Sequence, residues 1–516
     1  MIVVPSVTLQ GQVKTVTFCL SWAKLVVVIN TGTCIGSVTR PLRSWWAPVV
    51  AASMAALLVS LDTTVNIAFP AITATFKLEV SQIQWVVVSY VLTLASLLLA
   101  TGRLSDAFGH RRVLTVGLTV TGAGVALCGL APDFGWFLAA RVVQGGGAAL
   151  VMGAAPALVT VIAPEQARSR VLGVFQTGAA LGVAVGPVLG GALIEWTTWR
   201  AVYLFRVPVA LLVLAVVVVV VPKQAYPGSI RRLRGGDAPL DLAGASLLGA
   251  GLAAGLLAFG RVRETGWSSA LVATGFVASA ALLVTWVFVE RRSRNPVVDL
   301  TLLRHPPFAV ANGLNVVASG TMFAIWLLAP YYLLNIRGLS TITGGLVLGM
   351  TPLGTAIVSP LAGSFDGHIS TRRLCTAGLA LEALGLATVA TTGTHTPLLL
   401  VAMAFTLVGV GLGLFTVPNL SYVMGSIPRD RQGVAGGLTQ VMRTVGIVVG
   451  VAGASLVFDA RRRRHIDDLS VAADDPRAFV ASFRDTFTLV AGLCAIAALI
   501  SLLRTTRSSA SAKPRP

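Results

Sequence analysis

Charged residues are scarce in this sequence. Only 11% of its 516 residues are Asp, Glu, Lys or Arg, whereas 55% are apolar. This composition lies far outside that of soluble globular domains. A lipid bilayer is therefore the expected solvent.

Cysteine is also scarce, and acidic residues are fewer than basic ones. The five cysteines lie far apart, without paired or metal-ligand spacing, at Cys19, Cys34, Cys128, Cys375 and Cys494. We therefore expect neither disulfides nor a metal site.

The net charge is +19, but the basic residues form short clusters between apolar segments, as the positive-inside rule predicts. Nucleic acid is not an expected partner.

Long apolar stretches recur along the chain, each near the roughly 20 residues that a helix needs to cross a bilayer. Fourteen spans are predicted, at 46–70, 83–103, 113–131, 135–160, 171–194, 201–221, 240–260, 269–290, 307–334, 341–364, 374–393, 397–424, 434–457 and 486–504. An even number puts both termini on one side, and the Lys and Arg count of the loops predicts that this side is cytoplasmic. The run Arg461–Arg464 opposes that orientation.

The second half of the sequence repeats the first at an offset of 264 residues. Pairs related by this offset are Gly145 and Gly409, Gly147 and Gly411, Pro164 and Pro428, Gly173 and Gly437, Gln176 and Gln440, Gly182 and Gly446, and Gly186 and Gly450. Six spans with short connections occupy roughly 180 residues, so the offset leaves room for two inserted helices.

The predicted fold is an all-α polytopic membrane protein in which two pseudo-symmetric six-helix bundles enclose a central cavity. Its parts are an N-terminal tail at 1–45, a first bundle at 46–221, a cytoplasmic linker at 222–239, two inserted helices at 240–290, a second bundle at 291–504 and a C-terminal tail at 505–516.

The loop after the second span reads GRLSDAFGHRR. Its glycines permit a tight turn and close backbone approach, and its aspartate can pair with an arginine or a helix N-terminus. The predicted conformational latch is Gly102, Asp106, Gly109, Arg111 and Arg112. A loop of positive charges that only sets topology is the alternative.

That loop resembles the signature loop of the major facilitator superfamily, and the resemblance implies the major facilitator fold. The copy in the second half, GSFDGHISTRR, keeps Gly363, Arg372 and Arg373, but Asp366 falls one residue early. We expect no latch there.

The first span contains Asp62 in the run LDTTVNIAFPAI. A carboxylate at the bilayer centre costs roughly 2.5 to 3.5 kcal/mol on insertion scales, so it is rarely kept without a use. The run resembles the first-helix motif of the fourteen-helix drug:proton antiporters of the Emr and Qac type. The resemblance implies that Asp62 carries protons; a purely structural partner of a buried cation is the alternative.

Arg141 is the cation predicted to lie near Asp62. Its run, RVVQGGGAA, resembles the fourth-helix motif of that family, whose arginine is implicated in proton coupling. The equivalent position of the second half is Phe405, so coupling is expected in the first half only.

The fifth span is rich in glycine, which allows close helix contact, and Pro187 bends it. It resembles the motif that marks antiporters in this superfamily, at Gly182, Gly186, Pro187, Gly190 and Gly191. The resemblance implies export; a generic packing helix is the alternative.

Further charged residues lie in the predicted spans, among them Arg206, Glu382 and Arg443. The run that contains Arg443, PRDRQGVAGGLTQVMRTVGIVVG, also resembles the family. Arg206 stands where the family usually has Asn, and we expect its side chain to reach the membrane interface. An effect on the charge preference for substrates near the outer mouth is the alternative. Glu382 is predicted to be either a second protonatable group or a carboxylate near the outer surface.

Polar, aromatic and methionine side chains on the expected cavity helices are the substrate-binding candidates, since such surfaces suit varied apolar ligands. They are Asn66, Trp85, Tyr90, Gln144, Phe175, Gln176, Asn315, Met322, Tyr331, Gln440 and Met442.

The predicted function is proton-coupled export of hydrophobic or cationic drugs by a monomer in the bacterial inner membrane. Its partners would be lipids, protons and small-molecule substrates, with no cofactor besides the proton gradient. The alternative is a dedicated exporter of an endogenous natural product or lipid. A membrane-embedded transferase is remote, because no nucleophile, base and orienting group occur together.

Overall fold

Long helices joined by short turns make up the chain. The computed structural model describes residues 45–164, 167–221, 269–292, 304–364, 369–427, 432–470, 472 and 475–503, with scattered residues between 244 and 258. The predicted tails and the linker 222–239 lie outside these ranges.

The helices of the first half are α1 (Trp46–Ser60), α2 (Phe69–Phe76), α3 (Gln84–Phe108), α4 (His110–Gly129), α5 (Phe134–Ile162), α6 (Arg168–Trp196), α7 (Ala201–Leu204) and α8 (Arg206–Val220). A 3-10 stretch, Leu61–Ala68, joins α1 to α2 into one span.

The helices described along their whole length in the rest of the chain are α9 (Ala270–Arg292), α10 (Pro306–Tyr331), α11 (Thr341–Ser364), α12 (Thr371–Ala390), α13 (Leu398–Gly425), α14 (Gln432–Leu469) and α15 (Pro476–Leu503). A π-helical turn, Tyr332–Ile336, extends α10.

Twelve of the described spans are long and apolar enough to cross a membrane. α3 adds a 25-residue helix, about 37 Å long at 1.5 Å per residue. The predicted span 240–260 lies mostly outside the described residues, although Gly251 in it accepts a hydrogen bond from Ser279 of α9 at 2.7 Å. The all-α membrane fold is thus confirmed, and the count of fourteen spans stays a prediction.

The 264-residue repeat recurs in the helix contacts. A Cβ added at Gly145 of α5 would meet the backbone of Tyr90 in α3, and one added at Gly409 of α13 would meet the backbone of Thr351 in α11. Since α3 and α11 are equivalent helices of the two halves, each glycine provides the same close contact in its own half.

A second pair of glycine contacts fixes the first helix of each half. Gly182 of α6 lies against Leu57 of α1, and Gly446 of α14 lies against Val316 of α10. α6 and α14 therefore hold equivalent positions, each packed on the helix that opens its half.

The side of the membrane on which α1 begins is here named the terminal side, and the side on which α2 ends is named the opposite side. The two halves touch near the opposite side. Thr73 of α2 hydrogen-bonds with Tyr331 of α10. The Ser455 hydroxyl of α14 donates to the Ser81 carbonyl at 3.5 Å. Glycines also let α6 pack closely on α11 there.

Toward the terminal side the halves separate. The α11 face that contacts α6 at Gly345 and Gly349 continues, at four-residue steps, as Leu353, Ile357 and Leu361. These three side chains are 43, 59 and 52% exposed. The gap between the halves is named the chamber, and it opens to the terminal side.

The thirteenth span was predicted to end at residue 457, which is too early. α14 runs on to Leu469 and α15 begins at Pro476, so Arg461–Arg464 lie in a helix and not in a loop. Ala, Arg and Leu are good helix formers, and Asp485 of α15 lies 3.0 Å from His465 and 3.7 Å from Arg461. The helix pair thus continues beyond the apolar segment.

Two glycines of α14 provide a matched test of this packing. A Cβ at Gly450 would meet the backbone of Gly320 in α10, whereas one at Gly453 would meet nothing within 4 Å. Overpacking costs about 1 to 3 kcal/mol, and Gly to Ala in an open helical site is favourable by about 0.5 to 1 kcal/mol. We expect Gly450→Ala to lower the melting temperature of the detergent-purified protein and Gly453→Ala to leave it unchanged or raise it. Equal effects would contradict the close contact of α10 with α14.

Candidate functional site

Asp62 lies where the first span departs from α-helical geometry. Leu61–Ala68 forms a 3-10 stretch, and such stretches within helices often mark functional hinges. The Thr64 hydroxyl donates to the Leu61 carbonyl at 2.7 Å, and Pro70 has no backbone N–H to donate to the carbonyl four residues earlier. The Thr and Pro residues around Asp62 therefore favour the local tightening.

The Asp62 carboxylate is surrounded by donors. Arg141 binds it in bidentate fashion, with Nη1 2.7 Å from Oδ1 and Nη2 2.9 Å from Oδ2. Gln144 Nε2 donates to Oδ1 at 2.8 Å, and Arg206 Nη1 donates to the same oxygen at 3.0 Å. Bidentate arginine pairs combine charge with fixed geometry, so this carboxylate is held in one position.

Several contacts orient Arg141 toward the carboxylate. Its Nε donates to the Val86 carbonyl of α3 at 2.9 Å, and its Nη1 donates to Gln144 Oε1 at 2.8 Å. The Tyr90 ring lies 4.4 Å from the guanidinium carbon, a cation–π contact. The structure thus brings together four predicted site residues: Asp62, Arg141, Tyr90 and Gln144.

The sequence-based interpretation of Arg206 was wrong. This side chain is fully buried and donates to Asp62, with a longer contact of 3.4 Å to the Leu58 carbonyl. It cannot reach the membrane interface, because it points into the first half. The sequence signal that could have predicted this burial is the position of Arg206 at the start of an apolar helix, together with a buried acidic residue, Asp62, as a possible partner.

The charge of the site does not cancel. Two guanidinium groups, 2 and 0% exposed, face one carboxylate that is 15% exposed. Asp62, Arg141 and Arg206 together carry one net positive charge when Asp62 is ionised. Protonation of Asp62 would leave two buried cations without a counter-ion, so a proton and the arginines compete for the same oxygens.

The glycines of the fifth-span motif face two directions. Gly182, Gly186 and Gly190 lie against α1 and the 3-10 stretch. Pro187 and Gly191 instead contact α11 of the other half, next to Gly345 and Thr341. The motif therefore positions the Asp62 segment on one face and joins the two halves on the other.

The remaining binding candidates have different surroundings. Gln176 is exposed on the chamber side of α6, and Gln440, Trp85 and Met442 are half-buried. Met442 packs against a buried cluster inside the second half that includes Phe308, Val423 and Leu438, so it does not line the chamber. The others are buried: Asn66, Phe175, Asn315, Met322 and Tyr331.

The predicted latch loop is only partly described, since the Asp106 side chain lies outside the described residues. Gly109 has a φ of 92°, which requires glycine. Arg111 Nη2 donates to the Val218 carbonyl at the end of α8 at 2.7 Å, and Arg112 is exposed. A Cβ at Gly102 would meet nothing within 4 Å, but one at Gly153 of α5 would lie 3.0 Å from the Gly102 backbone nitrogen. The α5 backbone therefore approaches Gly102 closely, and the latch role of this loop stays a prediction.

Glu382 lies in the core of the second half and is fully buried. The Thr321 hydroxyl donates to its Oε1 at 2.7 Å, and Cys494 adjoins it. The alternative of a carboxylate near the outer surface is excluded, whereas its use as a proton site stays a prediction.

The charge excess predicts an order of stability among variants. Removing one partner of a buried ion pair costs about 3 to 5 kcal/mol, because the other charge stays buried and unpaired. We expect Asp62→Asn to lower the melting temperature of the purified protein more than Arg206→Gln does. In the double variant part of the loss should be recovered, and additive losses would contradict direct coupling.

Comparison with known proteins identifies the family. The sequence profile of the Major Facilitator Superfamily matches residues 51–242 and 240–451. Multidrug resistance protein Stp of Mycobacterium tuberculosis (strain CDC 1551 / Oshkosh) is 31% identical over 412 residues, covering 80% of this chain and 75% of that protein. Puromycin resistance protein pur8 of Streptomyces alboniger is 33% identical over 419 residues, covering 80% and 81%.

A solved structure shares the fold. The bacterial homolog of the human lysosomal transporter Spinster, inward-facing and unoccupied, aligns with a TM-score of 0.62 at 14% identity, covering 90% of this chain and 97% of that one. The chain therefore belongs to the Major Facilitator Superfamily, as a multi-pass membrane transporter and not an enzyme.

Proposed function

We propose that this transporter is a proton-driven exporter of bulky, predominantly apolar compounds. It would act as a monomer in the bacterial inner membrane, with both termini in the cytoplasm and no cofactor. Relatives named for resistance to several drugs, to puromycin and to lincomycin support drug efflux. A dedicated exporter of an endogenous natural product or lipid is the alternative, and a riboflavin transporter among the relatives favours keeping it.

The observation that carries the proposal is the donor set around Asp62. A proton that binds this carboxylate must displace the Arg141 contacts, which extend to Val86 of α3 and Tyr90. Proton binding is thereby linked to the relative position of α1, α3 and α5. This linkage is what an antiporter needs in order to couple a proton to a conformational change.

The second requirement is alternating access, which the one-sided opening of the chamber supports. With the terminal side in the cytoplasm, the described arrangement is open inward and closed outward. Substrate would enter from the cytoplasm while Asp62 is ionised. A proton arriving from outside would then reset the transporter after release. The membrane potential adds about 2.3 kcal/mol per charge per 100 mV to that cycle.

The coupling is tested in everted membrane vesicles with an imposed pH gradient, acid inside, and the uncharged dye Nile red. We expect Asp62→Asn and Arg141→Ala to lose gradient-driven accumulation, because the exchangeable proton or its competitor is gone. Asp62→Asn should still exchange dye down the dye's own gradient.

The matched control is Asp133→Asn, since Asp133 caps α5 by accepting from Trp136 and Asn also caps helices well. Equal accumulation by all variants at equal expression would refute the role of Asp62. Dependence on nucleotide without a gradient would refute secondary transport.

A contact between the halves gives a separate prediction about access. Glu195 Oε2 of α6 lies 2.9 Å from the Thr341 backbone nitrogen and 2.6 Å from its hydroxyl. The same hydroxyl lies 2.7 Å from the Gly191 carbonyl oxygen. These bonds cap α11 from the other half, and they must break when the opposite side opens.

We expect Thr341→Val to raise the outward-open population, seen as a longer distance between spin labels at the exposed positions 198 and 394. Thr343→Val is the control, because the Thr343 hydroxyl bonds with Ser340 of its own half. An unchanged distance distribution in Thr341→Val, with substrate absent and present, would contradict a closing role for this contact.

A further inference from the structure

Arg443 is a cation in the membrane interior that the proposed mechanism does not use. It lies inside α14, five residues into the apolar part that begins at Leu438. Its side chain is exposed, yet protein surrounds the position. A side chain with both properties faces an internal space and not the lipid.

The contacts of α14 identify that space as the chamber. Arg443 belongs to a row of residues at four-residue steps that continues as Ile447, Val451 and Ser455, and such rows form one ridge of a helix. Ser455 touches the first half at Ser81, and Ile447 and Val451 are buried. The ridge therefore faces the other half, and Arg443 lies on it where the halves have separated.

The pseudo-symmetry supports this placement. The 264-residue offset relates Val451 to Pro187 and Ser455 to Gly191, and both of these α6 residues contact the other half. Arg443 corresponds to Ala179 of α6. The second half thus presents an arginine to the chamber where the first half has a small apolar residue.

The described residues provide Arg443 with no ion pair. Within the predicted spans of the two bundles, the sequence contains only two carboxyl groups, Asp62 and Glu382. Asp62 is bound by two other arginines, and Glu382 is enclosed in the second half. The next acidic residue of α14, Asp459, lies about 24 Å farther along the helix at 1.5 Å per residue.

Depth along the helices places Arg443 near the level of the proton site. In α14, Arg443 lies twelve residues, about 18 Å, from Ser455. In the first half, Tyr90, which contacts Arg141, lies nine residues, about 13 Å, from Ser81. Ser455 and Ser81 are in contact, so a bound molecule of moderate size could touch both walls of the chamber at this depth.

We propose that Arg443 binds an acidic group of the transported compound, so that the substrates are apolar molecules carrying a carboxylate or similar anion. The inference rests on the proposed export through the chamber. It departs from the cationic substrates predicted by sequence resemblance. Among the described residues of the chamber, an unpaired arginine would repel a cationic substrate, and no free carboxylate is present to bind one. Arginine suits such binding, since its planar fork matches a carboxylate.

Two dyes built on the same xanthene ring system test the inference: carboxyfluorescein, which is anionic, and rhodamine 6G, which is cationic. Binding to the detergent-purified full chain is measured by fluorescence anisotropy. We expect the parent to bind carboxyfluorescein more tightly than rhodamine 6G. Arg443→Gln should weaken carboxyfluorescein binding by about tenfold or more, the usual effect of losing a charged hydrogen bond. Rhodamine 6G binding should stay unchanged or improve.

Arg443→Lys keeps the charge but not the fork, so we expect an intermediate loss; this variant also serves if Arg443→Gln fails to fold. Arg484→Gln, which removes an exposed arginine of α15, is the control and should bind both dyes like the parent. Equal carboxyfluorescein binding by the parent and the Arg443 variants would overturn the inference, as would an equal loss in the control.

Nile red accumulation in vesicles separates the two proposals. If the parent accumulates Nile red under a pH gradient but binds carboxyfluorescein no better than rhodamine 6G, only the anion site is refuted. If carboxyfluorescein binding depends on Arg443 while no dye accumulates under the gradient, only proton-coupled export is refuted.

Discussion

One buried carboxylate with two arginines is the interaction on which the rest of this structure depends. Asp62 holds Arg141 and Arg206 in the core of the first half. A buried pair needs good geometry and further hydrogen bonds to offset its desolvation. Gln144, Tyr90 and the Val86 carbonyl supply them. The helices α1, α3, α5 and α8 are therefore tied to a single charge, and a change in that charge acts on all of them.

Glycine packing makes such a site useful for transport. Close contacts of Gly182 with α1 and of Gly191 with α11 bring the Asp62 segment and the interface between the halves onto one helix, α6. A helix with small residues on two faces can slide against both neighbours without large side chains in the way. Movement at Asp62 can thus reach the contact between Glu195 and Thr341.

The sequence predicted the fold and the central pair well, for physical reasons. Apolar length marks a membrane span almost regardless of context. A carboxylate in such a span demands a partner, and the resemblance of the run RVVQGGGAA to a family motif indicated Arg141. The sequence failed where a choice depended on the third dimension. Arg206 has the same flanking residues whether it turns toward lipid headgroups or toward Asp62, and only the bundle decides between them. The extension of α14 to Leu469 also depends on a neighbouring helix that local composition does not reveal.

The two halves differ in where they place their charged side chains. The internal repeat accounts for the equivalent glycines of α6 and α14, but it does not account for Arg443 at the position where α6 has Ala179. The first half encloses its cations with a carboxylate and keeps them from the chamber. The second half encloses a carboxyl group, Glu382, and presents a cation to the chamber. The halves would then differ in what they bind, since the first would take up the proton and the second would hold the compound that leaves. Because Asp62 lies in the half that adjoins the gap, at a depth similar to that of Arg443, a single rocking motion would act on both.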